Sequence, residues 1–252
     1  MLKVSAAKYI ALGEHIHDLR ALFFIRSADE GFDDRDRAAI KEGLERLLAL
    51  CRELNLTVSG ELIARKLRDM PQSDREWDLL VDALRAELRT KLFVFVPPHR
   101  ASFYESDSLL TIAATQAFPT AVNEIKAAGN CYSVGLYTAS VFHSMRAVEI
   151  GLRALGNALS VSFPFPIEQA EWHPLIEQIQ SRIEEQKKRA KSAEKDTDLQ
   201  FYSEAAVQFR YFKDGWRIRV AHARATYDEP EALGVVEHAR SFFETLATRL
   251  SE

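Results

Sequence analysis

Glycine, proline and cysteine are all scarce in this chain. Its 252 residues include only ten glycines, eight prolines and two cysteines. Runs in which polar and apolar residues alternate, the pattern of a half-buried strand, are almost absent. Because the sequence has few chain breakers and almost no strand pattern, it predicts an all-α protein built as a helical bundle.

Long apolar runs are also missing. No run approaches the roughly 20 residues needed to span a bilayer. Residues 1–20 interleave charged and apolar side chains, so they lack the uninterrupted apolar core of a signal peptide. Cys51 and Cys131 fall within apolar helical patterns, which predicts buried, reduced thiols. We therefore expect a cytoplasmic protein with no membrane segment.

Several motifs that carry chemistry are absent. The sequence has no glycine-rich phosphate loop, no Gly-x-Ser-x-Gly elbow and no Cys-x-x-Cys, so most nucleotide-hydrolysing and acyl-transfer classes have no support. The run from Glu14 to Asp18 contains two histidines and two acids. On a helix, however, residues two apart point about 200° away from each other. We predict no metal site and no cofactor.

Apolar stripes at helical spacing are what the sequence does have. In the first half they predict four helices. The first covers 5–25, the second carries a stripe from Ile40 to Leu54, the third covers 59–69, and the fourth follows the capping box Ser73-x-x-Glu76. Residues 92–96 either end that fourth helix or form one short strand. Pro97-Pro98 stops the element in either case.

The second half predicts five further helices. They begin with 109–128 and with 131–159, which is capped by Asn130. A helix opened by His173-Pro174 and a helix capped by Asp198 that runs through Tyr211 follow. The final helix is capped by Asp228 with Glu231, and its apolar face is Val235, Ala239, Phe242, Leu246 and Leu250. The polar and aromatic stretch 99–108 separates two regions. We place an N-terminal helical region at 1–106 and a helical domain at 107–252.

Two charged stretches stand out in the second half. Residues 184–195 are almost wholly charged or small, and are either a basic arm for nucleic acid or, as the interleaved acids favour, a solvated helix end. Residues 210–224, the basic stretch, hold five Lys and Arg residues against one acid, although the whole chain has a formal charge of -4. Any site for a polyanion must therefore be local.

Within the basic stretch, Arg217 and His222 have the side chains needed to cleave a phosphodiester without a metal. Arginine can hold a phosphate through two parallel hydrogen bonds, and histidine exchanges a proton near neutral pH. The alternative is that both residues simply lie on a solvated helix face.

Helical geometry limits how these two residues can meet. If Trp216–Tyr227 is one helix, it carries two apolar stripes that face apart: Trp216, Val220, Ala223 and Tyr227 on one side, and Ile218, Ala221 and Ala225 on the other. A helix that is apolar on two sides is buried on two sides, one of which can be another subunit. Arg217 then points about 140° away from His222. They converge only if the helix begins after Arg217, or across a dimer.

An earlier apolar helix carries His143, Arg146 and Glu149 at three-residue spacing. Arg146 and Glu149 could pair within that helix. Alternatively, Glu149 could orient Arg146 or a basic residue of the basic stretch.

Several of these segments, in this order, resemble the HEPN family of helical domains. The resemblance covers about 107–252 and is carried by Phe118-Pro119, Tyr137–Glu149, Trp172, Lys213–Arg217 running to His222, and Tyr227 followed by Glu231-Ala232. The family's hallmark, an arginine followed after four to six residues by a histidine, corresponds to Arg217 and His222. Residues 1 to about 106 lie outside the resemblance.

The resemblance implies a four- to five-helix up-and-down core that dimerises and brings two Arg–His pairs into one cleft. Many members are metal-independent ribonucleases of toxin–antitoxin, phage-defence or RNA-processing systems, whereas others are catalytically silent and bind nucleotides or proteins. For this chain it implies an endoribonuclease that acts through Arg217 and His222. The implied partners are RNA, a second copy of the chain and a possible antitoxin or defence-system protein. A silent binding module is the alternative.

The predicted substrate-binding residues are Lys213, Arg219, Arg224, Arg146, Glu149 and Tyr227. One position departs from the family pattern: the residue after the motif arginine is often asparagine or another polar residue, and here it is Ile218. If that polar residue helps to hold RNA or the histidine, activity is weakened or lost, and Arg219 could partly substitute for it.

Overall fold

A computed structural model describes residues 6–26, 33–71, 74–91, 93–188, 193–222 and 225–252. All regular secondary structure within these ranges is helical, so the predicted all-α helical bundle is confirmed. The chain divides into two compact units, Met1–Phe93 and Val94–Glu252. None of the described helices is both long enough and apolar enough to cross a membrane.

The first unit contains four helices: α1 (Ala6–Arg26), α2 (Asp34–Glu53), α3 (Thr57–Arg68) and α4 (Asp74–Arg89). The predicted stripe of α2 is confirmed, since Ile40, Leu44, Leu47, Cys51 and Leu54 are all buried. Burial raises the pKa of the Cys51 thiol to about 12. Ser73, the predicted cap of α4, lies outside the described residues.

The expectation that residues 92–96 continue a helix or form a strand is wrong for 93–96, which are neither. Two prolines follow directly, and the residue before a proline is disfavoured in helical conformation. Leu92 is outside the described residues.

The second unit contains seven α-helices among the described residues: α5 (Ile112–Ala117), α6 (Pro119–Ser133), α7 (Tyr137–Ala158), α8 (Trp172–Lys187), α9 (Ala193–Phe212), α10 (Ile218–Ala221) and α11 (Glu229–Leu246). Helix α7 is central and packs against α6, α8, α9, α10 and α11. Short 3₁₀ segments cover Pro98–Phe103 and Ile167–Gln169. A separate core forms here around buried Leu152, Phe209 and Phe243.

The single helix predicted over 131–159 is wrong, because α6 ends at Ser133 and α7 begins at Tyr137. Gly135 between them has φ +80°, a left-handed conformation that ends helices. Asn130 does not cap α7; its side chain accepts a hydrogen bond from the Glu105 backbone N–H at 2.6 Å. Asp198 is likewise not a cap, since it lies inside α9 and pairs with Arg249.

The capping box of α11 is confirmed. The Asp228 carboxylate accepts the Glu231 N–H and the Glu231 carboxylate accepts the Asp228 N–H, each at 3.0 Å. The predicted apolar face of α11 is also buried, as Val235, Ala239, Phe242, Leu246 and Leu250 show. At the end of the chain, the Glu252 carboxylate accepts the backbone N–H of Thr120 at 2.6 Å in the first turn of α6.

Residues 94–106, which the sequence analysis placed with the N-terminal region, pack within the second unit. Arg100 donates a hydrogen bond to the Tyr137 hydroxyl, and that hydroxyl donates to Glu229 at 2.7 Å. Phe103 packs edge-on against Tyr132 with 4.8 Å between ring centroids. This segment therefore joins the starts of α7 and α11.

Candidate functional site

The basic stretch folds around a π-helical turn. Residues Lys213–Arg217 form this turn between α9 and α10, and the Ile218 N–H bonds to the Lys213 carbonyl five residues back. Such turns are wider than α-helical turns and occur often at functional sites. Helix α10 ends at Ala221, and His222 follows with φ -104° and ψ 17°.

The predicted helix over Trp216–Tyr227 is therefore wrong beyond Ala221, since Ala225–Asp228 are not helical. The Tyr227 N–H donates to the Thr138 hydroxyl at 3.2 Å instead of to a carbonyl of its own helix. Trp216, Val220 and Tyr227 do pack against the core, as their stripe predicted. On the other stripe, Ile218 and Ala225 are half-buried and Ala221 is exposed.

Arg217 rests on the indole ring of Trp172, with 5.7 Å from its guanidinium carbon to the ring centroid. The Trp172 ring is held in turn by Glu149, which accepts its N–H at 2.9 Å and pairs with Arg153 at 2.5 Å. Among the described residues, no carboxylate lies within ion-pair distance of Arg217. Its charge is positioned by a ring and is available to an anion from outside.

Arg146 has a different partner from the one considered from the sequence. Its guanidinium binds Glu124 of α6 at 2.8 Å, and so does His143 through Nδ1 at 2.8 Å. Burial alone would raise the pKa of Glu124, but the hydrogen bonds from Arg146 and His143 outweigh it and lower that pKa. An intrahelical Arg146–Glu149 pair is not formed, and a substrate anion would have to compete with Glu124 for Arg146.

His222 is exposed at the end of α10, and its ring makes no hydrogen bond to the other described residues. No hydrogen bond joins Arg217 and His222. Arg217 ends the π turn, and α10 begins directly after it at Ile218. A meeting of Arg217 and His222 across a dimer stays a prediction.

The remaining predicted site residues are spread around this turn. The Lys213 side chain is largely buried and binds Asp214 at 3.0 Å. Arg219 is exposed and forms no ion pair with the described carboxylates. Tyr227 is half-buried, and Arg224 lies outside the described residues.

Two residues beside the turn, Tyr211 and His238, had no signal in the sequence. A regular α-helix would place Tyr211 and Trp216 about 140° apart. Because a π turn lies between them, their ring centroids are only 5.0 Å apart. His238 of α11 lies 5.7 Å from Trp216, and burial lowers the pKa of its imidazole. An open cavity lies against these three rings.

No group of three or more histidine, cysteine, aspartate or glutamate side chains in the described ranges is placed to hold a metal ion. No protein-family model, curated protein or solved structure matches the chain. The resemblance to HEPN domains therefore has no support beyond the sequence segments that were quoted for it.

Proposed function

We propose that residues 107–252 form a HEPN-type domain and that the protein is a metal-independent endoribonuclease. One observation carries the proposal. Arg217 lies on the Trp172 ring with no carboxylate partner among the described residues, five positions before the exposed His222. An unpaired arginine and an exposed histidine on one short helical segment supply anion binding and proton transfer together.

The chemistry needs only these two groups and the RNA itself. The 2′-oxygen attacks phosphorus while the bond from phosphorus to the 5′-oxygen breaks, which leaves a 2′,3′-cyclic phosphate and a 5′-hydroxyl. His222 takes the proton from the 2′-hydroxyl or delivers one to the leaving 5′-oxygen, and water exchanges the other proton. Arg217 stabilises the negative charge that grows on the phosphate oxygens. DNA is not cut because it lacks the 2′-hydroxyl.

A homodimer completes this proposed site. Arg217 and His222 of one chain form no hydrogen bond with each other, and we propose that they work with their counterparts from a second copy in one cleft, where the positive charges add. Half-buried Ile218 and exposed Ala221 lie between the two residues in sequence and form part of the proposed interface. Control by an antitoxin or another defence-system protein belongs to the same proposal.

Incubation of the purified protein with RNA in EDTA tests the activity. We expect cleavage of RNA but not DNA, and a loss of about 10²–10⁴-fold in rate for His222→Ala. Arg217→Ala should also be slow, since it removes charge stabilisation. The control is His17→Ala, which removes a histidine that is 83% exposed in the first unit. Equal cleavage by wild type and His222→Ala ends the proposal.

A catalytically silent nucleotide- or protein-binding module is the second candidate. Ile218 favours it, since an apolar residue directly after Arg217 offers no hydrogen bond to RNA. Thermal shift with nucleotides separates the two candidates. Stabilisation by a nucleotide with no RNA cleavage under any condition supports the silent module.

A further inference from the structure

The cavity beside the π turn has the size of a small-ligand site. Its volume is about 370 Å³, and its walls come from the π turn and from α11. Ligand pockets of this kind span about 300–1,000 Å³. The residues that matter for what it could hold are Tyr211, Trp216, Arg219, Tyr227, Glu231 and His238.

Three rings form an aromatic wall. Trp216 lies 5.0 Å from Tyr211 and 5.7 Å from His238, both edge-on. Tyr211 is 54% exposed, so this side of the wall is open to a ligand. His238 is held by Gln208, whose side-chain oxygen lies 3.1 Å from Nε2. Exposed aromatic faces next to cationic groups bind flat bases by stacking.

Two charged side chains of the cavity can meet a ligand. Arg219 is exposed and unpaired within the described ranges. Glu231 accepts the Asp228 N–H through one carboxylate oxygen, Oε2; its other oxygen can accept an amino group.

We propose that this cavity binds one nucleotide. The base stacks on the exposed ring of Tyr211 with the Trp216 ring edge-on beside it, its polar edge meets Glu231, and its phosphate meets Arg219. The carboxylate of Glu231 favours bases that carry an exocyclic amino group. The proposal rests on the proposed function for its source of nucleotide, an RNA strand, although a free mononucleotide has the same chemistry.

The cavity is distinct from the phosphate-cleaving groups. Arg217 and His222 do not line it, and Arg217 rests on Trp172 of α8 instead. Arg219 lines the cavity and lies two positions after Arg217 in the chain. A nucleotide in the cavity is therefore next to the cleaved phosphate, and the cavity sets which base is accepted there.

Tryptophan fluorescence of the full chain tests the proposal with two probes: a single-stranded deoxyadenylate tetramer, which cannot be cut through a 2′-hydroxyl, and adenosine monophosphate. Trp77 and Trp172 are each only 2% exposed, so quenching reports mainly on Trp216 and should disappear in Trp216→Phe. Tyr211→Ala should raise the Kd about 5- to 150-fold, the usual effect of losing one stacking ring. Arg219→Ala should weaken the monophosphate to the affinity of adenosine.

The matched controls are Tyr202→Phe and Arg182→Ala, which change residues outside the cavity and should leave the affinity for both probes unchanged.

The outcomes separate the sources of the ligand and the two proposals. Quenching by the tetramer alone identifies a nucleic-acid strand, whereas quenching by the monophosphate identifies a free nucleotide. Absence of quenching by both probes, or wild-type affinity in Tyr211→Ala, overturns the cavity proposal. RNA cleavage that depends on His222 but is unchanged in Tyr211→Ala also refutes the cavity and leaves the proposed function. Binding in the cavity without any cleavage refutes the proposed function and leaves the cavity.

Discussion

Glu87 shows how one half-buried carboxylate supports a helix that lacks its own cap. The residue before α3, Leu56, has no side chain that can accept a hydrogen bond from the helix. Glu87 of α4 supplies the acceptor: Oε2 binds the Ser59 N–H at 2.8 Å and the Ser59 hydroxyl at 2.6 Å, and Oε1 binds the Val58 N–H at 3.2 Å. A negative charge at this end also complements the helix dipole.

We expect Glu87→Gln to lower the free energy of unfolding of the first unit by about 0.5–2 kcal/mol, the range for losing a helix cap. Urea denaturation followed by circular dichroism measures the change. Glu61→Gln is the control, since it alters an exposed glutamate of the same helix α3. Equal effects of the two substitutions would contradict the capping role.

This contribution should depend on pH. Burial alone would raise the pKa of Glu87, but hydrogen bonds from Ser59 and Val58 outweigh it and lower that pKa in the folded state. The stabilisation is therefore present above the unfolded pKa of about 4.3 and is lost as the pH falls through the lower folded value. The difference between wild type and Glu87→Gln should shrink on acidification below about pH 4.

At the scale of helices, features set by neighbouring residues were predictable from the sequence, and the π turn of the basic stretch was not. The stripes of α2 and α11 and the capping box of Asp228 could be read from the sequence because spacing and caps act over a few residues. The π turn could not, since no residue in Lys213–Arg217 distinguishes it from an α-helical turn. The sequence therefore did not identify Tyr211 and His238 as candidate site residues, although the spacing of Arg217 and His222 did identify those two.

Close packing of α7 against α11 gives a prediction at this scale. A Cβ on Gly151 of α7 would lie 2.7 Å from Leu246 Cδ1 and 3.5 Å from Phe209 Cζ. Gly151→Ala should therefore lower the free energy of unfolding by about 1–3 kcal/mol, as overpacked cores do. Gly234→Ala in α11 is the control, because its Cβ meets nothing within 4 Å, and it should be neutral or stabilise by up to about 1 kcal/mol. Chemical denaturation compares them.

At the scale of the whole molecule, each unit has its own core. The buried cluster of the first unit ends at Leu84, and that of the second begins at Leu109. The change of composition near 99–108 separates two regions of the sequence. Composition does not assign residues 94–106, whose contacts with Tyr132, Tyr137 and Asn130 depend on the folded second unit.

Two fragments test this assignment. We expect residues 94–252 to unfold cooperatively by themselves, and residues 107–252 to be less stable by about 2–4 kcal/mol. The shorter fragment loses the Arg100 and Glu105 hydrogen bonds and the Phe103–Tyr132 ring contact, worth about 0.5–1.5 kcal/mol each. Thermal unfolding followed by circular dichroism compares them. Equal stability would show that residues 94–106 are only a linker.

The proposed dimer is tested by mass in solution. Sedimentation of the wild type at tens of micromolar should give about twice 28.6 kDa. Ile218 is half-buried and is not part of the described core clusters. Ile218→Asp should therefore halve the mass without unfolding the protein. Ile112→Asp, at a residue 79% exposed, should leave the mass unchanged. A monomeric wild type rules out the shared cleft.

The contact between Glu252 and the first turn of α6 has a consequence for folding during synthesis. Phe118, the residue before α6, provides no side-chain cap, and Glu252 supplies the acceptor for the Thr120 N–H from 132 positions later. As the chain leaves the ribosome, α6 and α7 can pair long before that acceptor exists. Contacts so distant in sequence form late because closing the loop is entropically unfavourable. The start of α6 is thus completed only after residue 252 has been synthesised, and a ribosome stalled before that residue should carry a second unit whose α6 exchanges its first amide protons freely.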